Sequence, residues 1–531
     1  MMPDFPKWLR ERPFVRSVLL DLPPPGLKDN TGDLDRLARA LVQAGCGPVR
    51  FRPSGMGILA ARMRDLGWSL RVVAGFAGRF WEVLDFFPGS VNPPVLGFAV
   101  DLGTSGIVVR LIDLAGGKVL TEKTTPNPQS EFGEDILSRI LFARNEGGIE
   151  TLRRILLQAC REAMAAALAE TGFSAAGVYA VACAGNTTMS HFFLGLDPSN
   201  ICREPYIPAA NTFPVARAEE FGLDFLPNAL LYLFPNVGSY VGGDIVSGIL
   251  AAGLHRSAEP RMLIDVGTNA EVVLGNSEWL VACAGAAGPA LEGGVVERGM
   301  RALDGAIDRV RIDPRSLEPS YRVIGDRKPR GICGSGLIDL VAEMFAAGVL
   351  TVQGKFDPRS DPRRIRHTPD GRTYMLVPAS QTGDGREICV SEIDIGIFLK
   401  SKAAMYTILS VISGKVGLKF EEIDRICIAG NFGNRIDPEM AVRIGMIPDL
   451  PLDVYRGIGN SSVLGASMAL LDRTLLGEAE RVRDMITYVE LNVNLELMNE
   501  FRGALFLPHT DRRLFPSVRI PFGDREGGAS L

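Results

Sequence analysis

Two stretches of the chain set the same residue types in the same order. Residues 95–113 read VLGFAVDLGTSGIVVRLID, and residues 261–276 read RMLIDVGTNAEVVLGN. Each is an apolar run ending in an aspartate, Asp101 or Asp265. A bend follows, through Gly103, Thr104 and Ser105 in the first copy and Gly267, Thr268 and Asn269 in the second, and then another apolar run. A tight bend containing glycine exposes consecutive backbone N–H groups, and such groups bind anions. Gly103 and Gly267 let the backbone approach a ligand with no Cβ in the way. Thr104 and Thr268 add hydroxyl donors. A carboxylate at the strand end suits Mg²⁺, which prefers one or two carboxylates plus water and substrate phosphates. The chemistry implied is that of a Mg-polyphosphate, with Asp101 and Asp265 as the metal-positioning and catalytic carboxylates. Two such hairpins facing each other across a cleft would clamp it from both sides.

A single copy reads equally well as a turn between core strands, whereas two copies at matching places weigh against that. Asp265 follows Asp101 by 164 residues, so this is a domain-scale duplication and not a solenoid period. Two-lobed aspartic proteases also repeat an Asp-Gly motif, but there Thr or Ser directly follows the Asp. Here an apolar residue does (Asp-Leu-Gly-Thr and Asp-Val-Gly-Thr), and two carboxylates sharing a proton are not what this spacing builds.

Four further stretches could join the site. AGNFGN (429–434) follows a β-run and offers Gly430 and Asn431 as a turn against which a flat base could lie; alone it is an ordinary strand-to-loop turn. NVGSYVGGDIVSGIL (236–250) sets Asp244 between a glycine turn and an apolar helix. Asp244 is either an N-terminal helix carboxylate or a residue that orients an attacking water. GICGSGLIDL (331–340) runs a glycine turn into a helix N-terminus, with Gly334 and Ser335 as a second anion contact. Cys333 there reads as packing sooner than redox chemistry. VACAGNTTMSHFF (181–193) is a strand, a polar turn and a helix, in which His191 is as readily a satisfied helix histidine as a functional one.

Around these stretches the periodicities place the elements. Residues 1–15 read as a tail and 16–95 as a small α/β domain with its linker: a strand at 17–22, a helix at about 33–44, another near 56–66, and strands at 69–74 and 79–85. FFPGSVNPP (86–94) is the linker. An α/β unit spans 96–250, with a helix over about 149–171, and a second spans 251–475. That second unit contains a helix over about 391–413, opened by the capping box Ser391-Glu392-Ile393-Asp394. The last segment, 476–531 with LFLPHTDRRLFP, reads as a strand-like, Pro-rich extension.

Composition bounds the partners. At 531 residues, 46% hydrophobic and 22% charged, the chain is an ordinary globular protein of several structural units. A net charge of −5 argues against nucleic acid as the main partner. The opening MMPDFPKWLRERP has no apolar signal-peptide core, and no run approaches eighteen consecutive apolar residues, so no membrane is expected. The eight cysteines are dispersed, no two closer than about twenty residues, and build no CxxC or ferredoxin spacing. That pattern suits reduced thiols and a cytoplasmic location.

Taken in order, Asp101-Leu-Gly-Thr-Ser, Asp265-Val-Gly-Thr-Asn and Ala429-Gly-Asn-Phe-Gly resemble the phosphate-1, phosphate-2 and adenosine motifs of the acetate/sugar kinase, Hsp70 and actin superfamily (ASKHA). Within it the chain is similar to the reductive activators of corrinoid proteins (RACo- and RamA-type ATPases). The similarity rests on LDLPPPGLKDNTGDLDRL, NPQSEFGEDILSRI, ACAGNTTMSHFFLGL, SYVGGDIVSGIL, AAGPALEGG, GICGSGLIDL and ALFLPHTD as well, and so spans about residues 17–516. The resemblance implies an α/β fold of two RNase-H-like (actin/Hsp70-type) subdomains around a nucleotide cleft, preceded by the small α/β domain. It implies ATP and Mg²⁺ as cofactors, and a corrinoid protein or corrinoid methyltransferase as partner. The activity it implies is ATP-assisted reduction of a Co(II) corrinoid to Co(I), and it allows a homodimer.

The chain departs from the family in two places. Members usually carry an iron–sulfur domain, whereas this sequence has no cysteine cluster, so no iron–sulfur cluster is expected in it. Electrons would then come from a separate ferredoxin-like donor, or the electron path is lost. EGGVVERGMRA also sets Glu297-Arg298 where Ser-Cys is usual. The rival readings are a small-molecule kinase of the same superfamily and a nucleotide-dependent scaffold or binding module with no redox role.

Overall fold

The alternation around Asp101 becomes a real hairpin, built into one of two compact units. The computed structural model describes residues 5–267, 269–285, 294, 296–358, 363–369, 371–433, 435–491 and 495–521, apart from the side chains of Ser54, Asn431, Phe432, Leu495 and Glu496. The first unit runs up to Ala251 and includes Ser461–Met485. The second runs from Ala252 to Asn460 and continues from Ile486. The sequence division at 475/476 is thus not the physical one, because a helix from late in the chain completes the first unit.

In the first unit β1 (Val15–Asp21), β2 (Val49–Arg50), β3 (Ser69–Phe76) and β4 (Trp81–Pro88) form a small sheet ordered β1-β3-β4-β2. Helices Asp33–Gln43 and Pro53–Asp65 pack Leu37, Leu41, Leu59 and Met63 against Leu70, Val72 and Trp81. The larger sheet contains β5 (Leu96–Leu102), β6 (Gly106–Asp113), β7 (Lys118–Pro126), β8 (Val178–Gly185), β9 (Ala216–Arg217) and β10 (Leu230–Leu233), in the order β7-β6-β5-β8-β10-β9. β5, β6 and β7 are an antiparallel meander, and β8 and β10 extend it in parallel.

Side chains alternate across β5, and the two faces differ in bulk. Phe98, Val100 and Leu102 join Leu152, Leu156 and Met164 of helix Gly148–Thr171 in one core. The opposite face carries Gly97, Ala99 and Asp101, and β8 continues it with Ala180, Ala182 and Ala184. Small residues let the helix Ser461–Leu471 lie close; a Cβ on Gly97 would stand 3.2 Å from Leu470 Cδ1. Asp101 therefore shares its face of the sheet with a helix that begins 360 residues later.

The second unit repeats this plan. β11 (Arg261–Val266), β12 (Ala270–Gly275) and β13 (Leu280–Gly285) form the meander. Two small sheets intervene in the chain: β14 (Ala306–Ile312), β15 (Pro319–Val323) and β16 (Gly331–Ile332), then β17 (Ile365–Thr368), β18 (Gly371–Val377) and β19 (Ile388–Ser391). β20 (Arg425–Ala429) joins β11 in parallel, and β21 (Tyr455–Gly459) joins β20. β22 (Ile486–Tyr488) closes the far edge, for an order β21-β20-β11-β12-β13-β22. In both units, two parallel strands follow a three-stranded meander on the side of its first strand, so the duplicated motif marks a duplicated topology.

Helix Glu392–Lys415 covers β12 and β13, and Ser391 and Asp394 close its capping box in both directions. It is long and apolar enough by length and composition to cross a membrane, but 67% of its apolar window is buried in this core. The C-terminal part is helical where a strand-like extension was expected. It holds helices Thr474–Met485 and Leu495–Ala504, and LFLPHTD is an irregular segment. A buried lysine holds that segment in place: Lys402 Nζ donates to the carbonyls of Ala504, Phe506 (2.7 Å) and Pro508 (2.6 Å). Burial pushes the Lys402 pKa well below its usual value, and three carbonyl acceptors oppose that by favouring the ammonium. Lys402→Met leaves these acceptors buried without a donor. It is expected to lower stability by roughly 2–5 kcal/mol, seen as a lower denaturation midpoint in urea.

Candidate functional site

Asp101 is the last residue but one of β5 and points to the side of the sheet covered by helix Ser461–Leu471. Ser462 Oγ, in that helix's first turn, donates to Asp101 Oδ1 at 2.9 Å. Ser247 Oγ in turn donates to the Ser462 carbonyl at 2.7 Å. The bend after Asp101 has no room for a side chain at Gly103, where a Cβ would stand 2.4 Å from the Gly106 carbonyl oxygen. Thr104 Oγ1 accepts from Asn186 Nδ2 at 3.0 Å, which leaves the hydroxyl hydrogen of Thr104 to be donated elsewhere. Ser105 completes the bend and is half-buried.

Asn186 also caps helix Thr187–Leu194, its Oδ1 accepting from Met189 N–H at 2.9 Å. Gly242 of SYVGGD lies against this cap. A Cβ on Gly242 would stand 2.4 Å from Asn186 Cα and 2.6 Å from Thr187 N, and one on Gly243 would meet Phe234 at 2.8 Å. Asp244 follows in the first turn of helix Gly243–Ala252, half-buried, with Oδ1 accepting from Ile245 N–H at 2.8 Å. The first unit thus gathers Asp101, Thr104 and Asp244 through Ser462, Asn186 and Gly242.

In the second unit Asp265 is the last residue but one of β11, paired with Glu271 of β12 and Ala429 of β20. Gly267 N–H donates to the Asn269 carbonyl at 2.9 Å, closing the turn, and Asn269 is exposed. The AGNFG turn lies directly beside it. Gly430 has φ +84°, and a Cβ there would stand 2.7 Å from the Val266 carbonyl and 3.2 Å from Asp265 Oδ1. Only glycine serves at that position, for its backbone angle and for its lack of bulk. Thr268 and the side chain of Asn431 lie outside the described residues.

The RACo linker region matches residues 10–92, the RACo middle region 96–257, and the C-terminal domain of RACo, the ASKHA domain, 259–519. The chain belongs to the RACo family of corrinoid reductive activators. It is 32% identical over 427 residues to the corrinoid activation enzyme RamQ of Eubacterium limosum, covering 77% of this chain and 70% of the relative. It is 27% identical over 432 residues to the [Co(II) methylated amine-specific corrinoid protein] reductase of Methanosarcina barkeri, covering 74% and 73%. A solved reductive activator for corrinoid, iron–sulfur protein superposes with a TM-score of 0.88 at 41% identity, covering 95% of this chain and 81% of that one.

Not every motif residue stands at these bends. Gly334 and Ser335 open helix Gly334–Ala346 but are buried, and the Ser335 hydroxyl donates to the Asp308 carbonyl at 3.2 Å. Cys333 Sγ lies 3.3 Å from the Ile307 carbonyl, and a Cβ on Gly336 would stand 2.3 Å from that same oxygen. The described contacts of GICGSG therefore dock a helix on β14, where the sequence suggested an anion contact. His191 is satisfied on both ring nitrogens: Nδ1–H donates to the Thr187 carbonyl of its own helix at 2.7 Å and Nε2 accepts from Ala209 N–H at 3.1 Å. Burial lowers its pKa. Arg298, in the departing EGGVVERGMRA segment, donates to the Asp384 carboxylate and to the Arg330 carbonyl, an internal staple.

The sequence points to the stretch 181–193 as a supporting or hinge element without singling out Asn186, and gives no pointer to Ser462. Asn186 carried a signal, a polar residue ending an apolar strand ahead of a helix; Ser462 carried none. Gly242→Ala drives a methyl into backbone atoms that cannot rotate away. It is expected to destabilise the protein by roughly 1–3 kcal/mol, read as a lower thermal midpoint. Gly238→Ala, where nothing lies within 4 Å of the new Cβ, should stay within about 0.5 kcal/mol of the parent.

Proposed function

We propose that this chain is an ATP-dependent activator that assists the one-electron reduction of a protein-bound Co(II) corrinoid to Co(I). The electron comes from a separate low-potential donor of ferredoxin type, and ATP leaves as ADP and phosphate. The observation that carries the reading is the paired one: a chain of this family presents an Asp-x-Gly-Thr bend at the same strand end of each duplicated sheet. Both closely related curated proteins are named for activating or reducing corrinoid proteins, which supports a corrinoid protein or its methyltransferase as partner. Eight unpaired thiols support a reducing compartment such as the cytoplasm.

In this reading Gly103, Thr104, Ser105, Gly267, Thr268 and Asn269 hold phosphates, and Gly430 and Asn431 flank the base or ribose. Asp101 and Asp265 each offer a single carboxylate at a bend, a donor set that suits Mg²⁺ bound otherwise through water and phosphate. That ion would neutralise charge on the transferring phosphoryl group. Ser462 orients the Asp101 carboxylate by occupying one oxygen. Asp244, in the first turn of its helix, orients water. ATP promotes an uphill reduction only if it binds two conformations unequally, so the nucleotide shifts which one engages the corrinoid partner.

Hydrolysis of ATP measured with and without a Co(II) corrinoid protein and an external low-potential donor tests the reading. The cobalt is followed by its visible spectrum. Stimulated hydrolysis with Co(I) appearing is expected, whereas ATP hydrolysis with phosphate passed to an added metabolite would identify a kinase instead. Asp265→Asn is expected to reduce Mg-dependent hydrolysis roughly 10²-fold or more while leaving the thermal midpoint near that of the parent.

A further inference from the structure

The segment NPQSEFGEDILSRI has no place in the site as described, yet three of its polar residues are fully buried in the first unit. Asn127, Gln129 and Arg139 are each 0% exposed. Asn127 grips the first hairpin from behind. Its backbone N–H donates to the Ser105 carbonyl at 3.1 Å, and its side-chain Nδ2 donates to the Gly103 carbonyl at 3.0 Å. A trans peptide sets its C=O and N–H on opposite edges of one plane. With the carbonyls of Gly103 and Ser105 drawn toward Asn127, the N–H groups of Thr104 and Gly106 are aimed away from it.

The orientation of the Asn127 amide is fixed in turn. Its Oδ1 accepts from Gln129 N–H at 3.0 Å, so Nδ2 is the atom that faces the hairpin. Gln129 is held by Nε2 donating to the Leu152 carbonyl at 3.0 Å, and its Oε1 lies 3.4 Å from both Asn127 Nδ2 and Arg139 Nη1. Arg139 is anchored through Nε to the Gly133 carbonyl at 2.8 Å. A fully buried guanidinium whose hydrogen bonds run to carbonyl oxygens is a costly feature for packing alone, and its field strengthens each donor in the chain. We infer that Asn127 is a positioning residue for the first phosphate hairpin, turning its peptide planes so that the Thr104 and Gly106 amides face a polyphosphate, with Gln129 and Arg139 holding Asn127. The inference rests on the nucleotide reading above.

The full-length chain tests it through ADP affinity and the KM for Mg-ATP of Asn127→Ala and Asn127→Ser. Serine can still cap Gln129 N–H but is too short to reach Gly103, so the turn persists without the grip. Both variants are expected to raise KM and weaken ADP binding about tenfold, the effect of one hydrogen bond. Leu156→Ala, a cavity in the core of the same unit, serves as the control that should lower the thermal midpoint but keep KM. Asn127 variants within twofold of a parent that binds ADP would overturn the positioning role alone, as would an equal loss in Leu156→Ala. A parent that binds no ADP would remove the nucleotide reading and this inference with it.

Discussion

Two bends in this protein are shaped by the space a Cβ would need. At Gly103 that atom would stand 2.4 Å from a carbonyl oxygen, and at Gly430 2.7 Å from another. Neither contact is negotiable, because the obstacle is backbone and not the end of a flexible side chain. Once Gly103 is glycine, β5 can end just past Asp101 and reverse within a few residues; once Gly430 is glycine, the turn after β20 can lie against Val266 and Asp265. The remaining architecture holds those bends still. It does so with rigid sheets, since a strand end moves less than a loop of the same length.

Bulk is distributed to serve that end. β5 is heavy on the side facing helix Gly148–Thr171 and light on the side facing helix Ser461–Leu471. The light face brings a helix N-terminus close enough for Ser462 to hydrogen-bond Asp101. A face of Val and Leu would have supplied more buried area, but it would have kept that helix away. Local stability is traded for proximity at the place where polar groups must meet.

Buried charge is used in a similar way. Arg139 and Lys402 are both fully buried, and each spends its donors on carbonyl oxygens of irregular backbone. A carbonyl outside helix or sheet needs a donor if it is to be buried, and a cation supplies several in one stroke. The segments around Gly133 and 505–509 are thus fixed by side-chain donors and not by a sheet or a long helix. One stands behind the first hairpin; the other closes the second unit beneath helix Glu392–Lys415.

Much of this was legible from sequence. The strands and bends around Asp101, Asp265 and Gly430, the long helices and the capping box at Ser391 are local patterns, set by alternation, glycine placement and hydrogen bonding within a few residues. The duplication was legible because each copy of the hairpin must satisfy the same local rules. Other features were not. The close packing of Gly336 in GICGSG on β14 is not visible in the sequence, because it depends on what lies opposite. The LFLPHTD segment seemed strand-like because nothing nearby reveals that Lys402, about a hundred residues earlier, supplies its donors. Ser462 and Asp101 are 361 residues apart. The sequence by itself determined which backbone turns can form and what chemistry their residues could do. Only the tertiary structure decided which distant side chains stand behind them, because a hydrogen bond between remote residues leaves no periodicity in either stretch of chain.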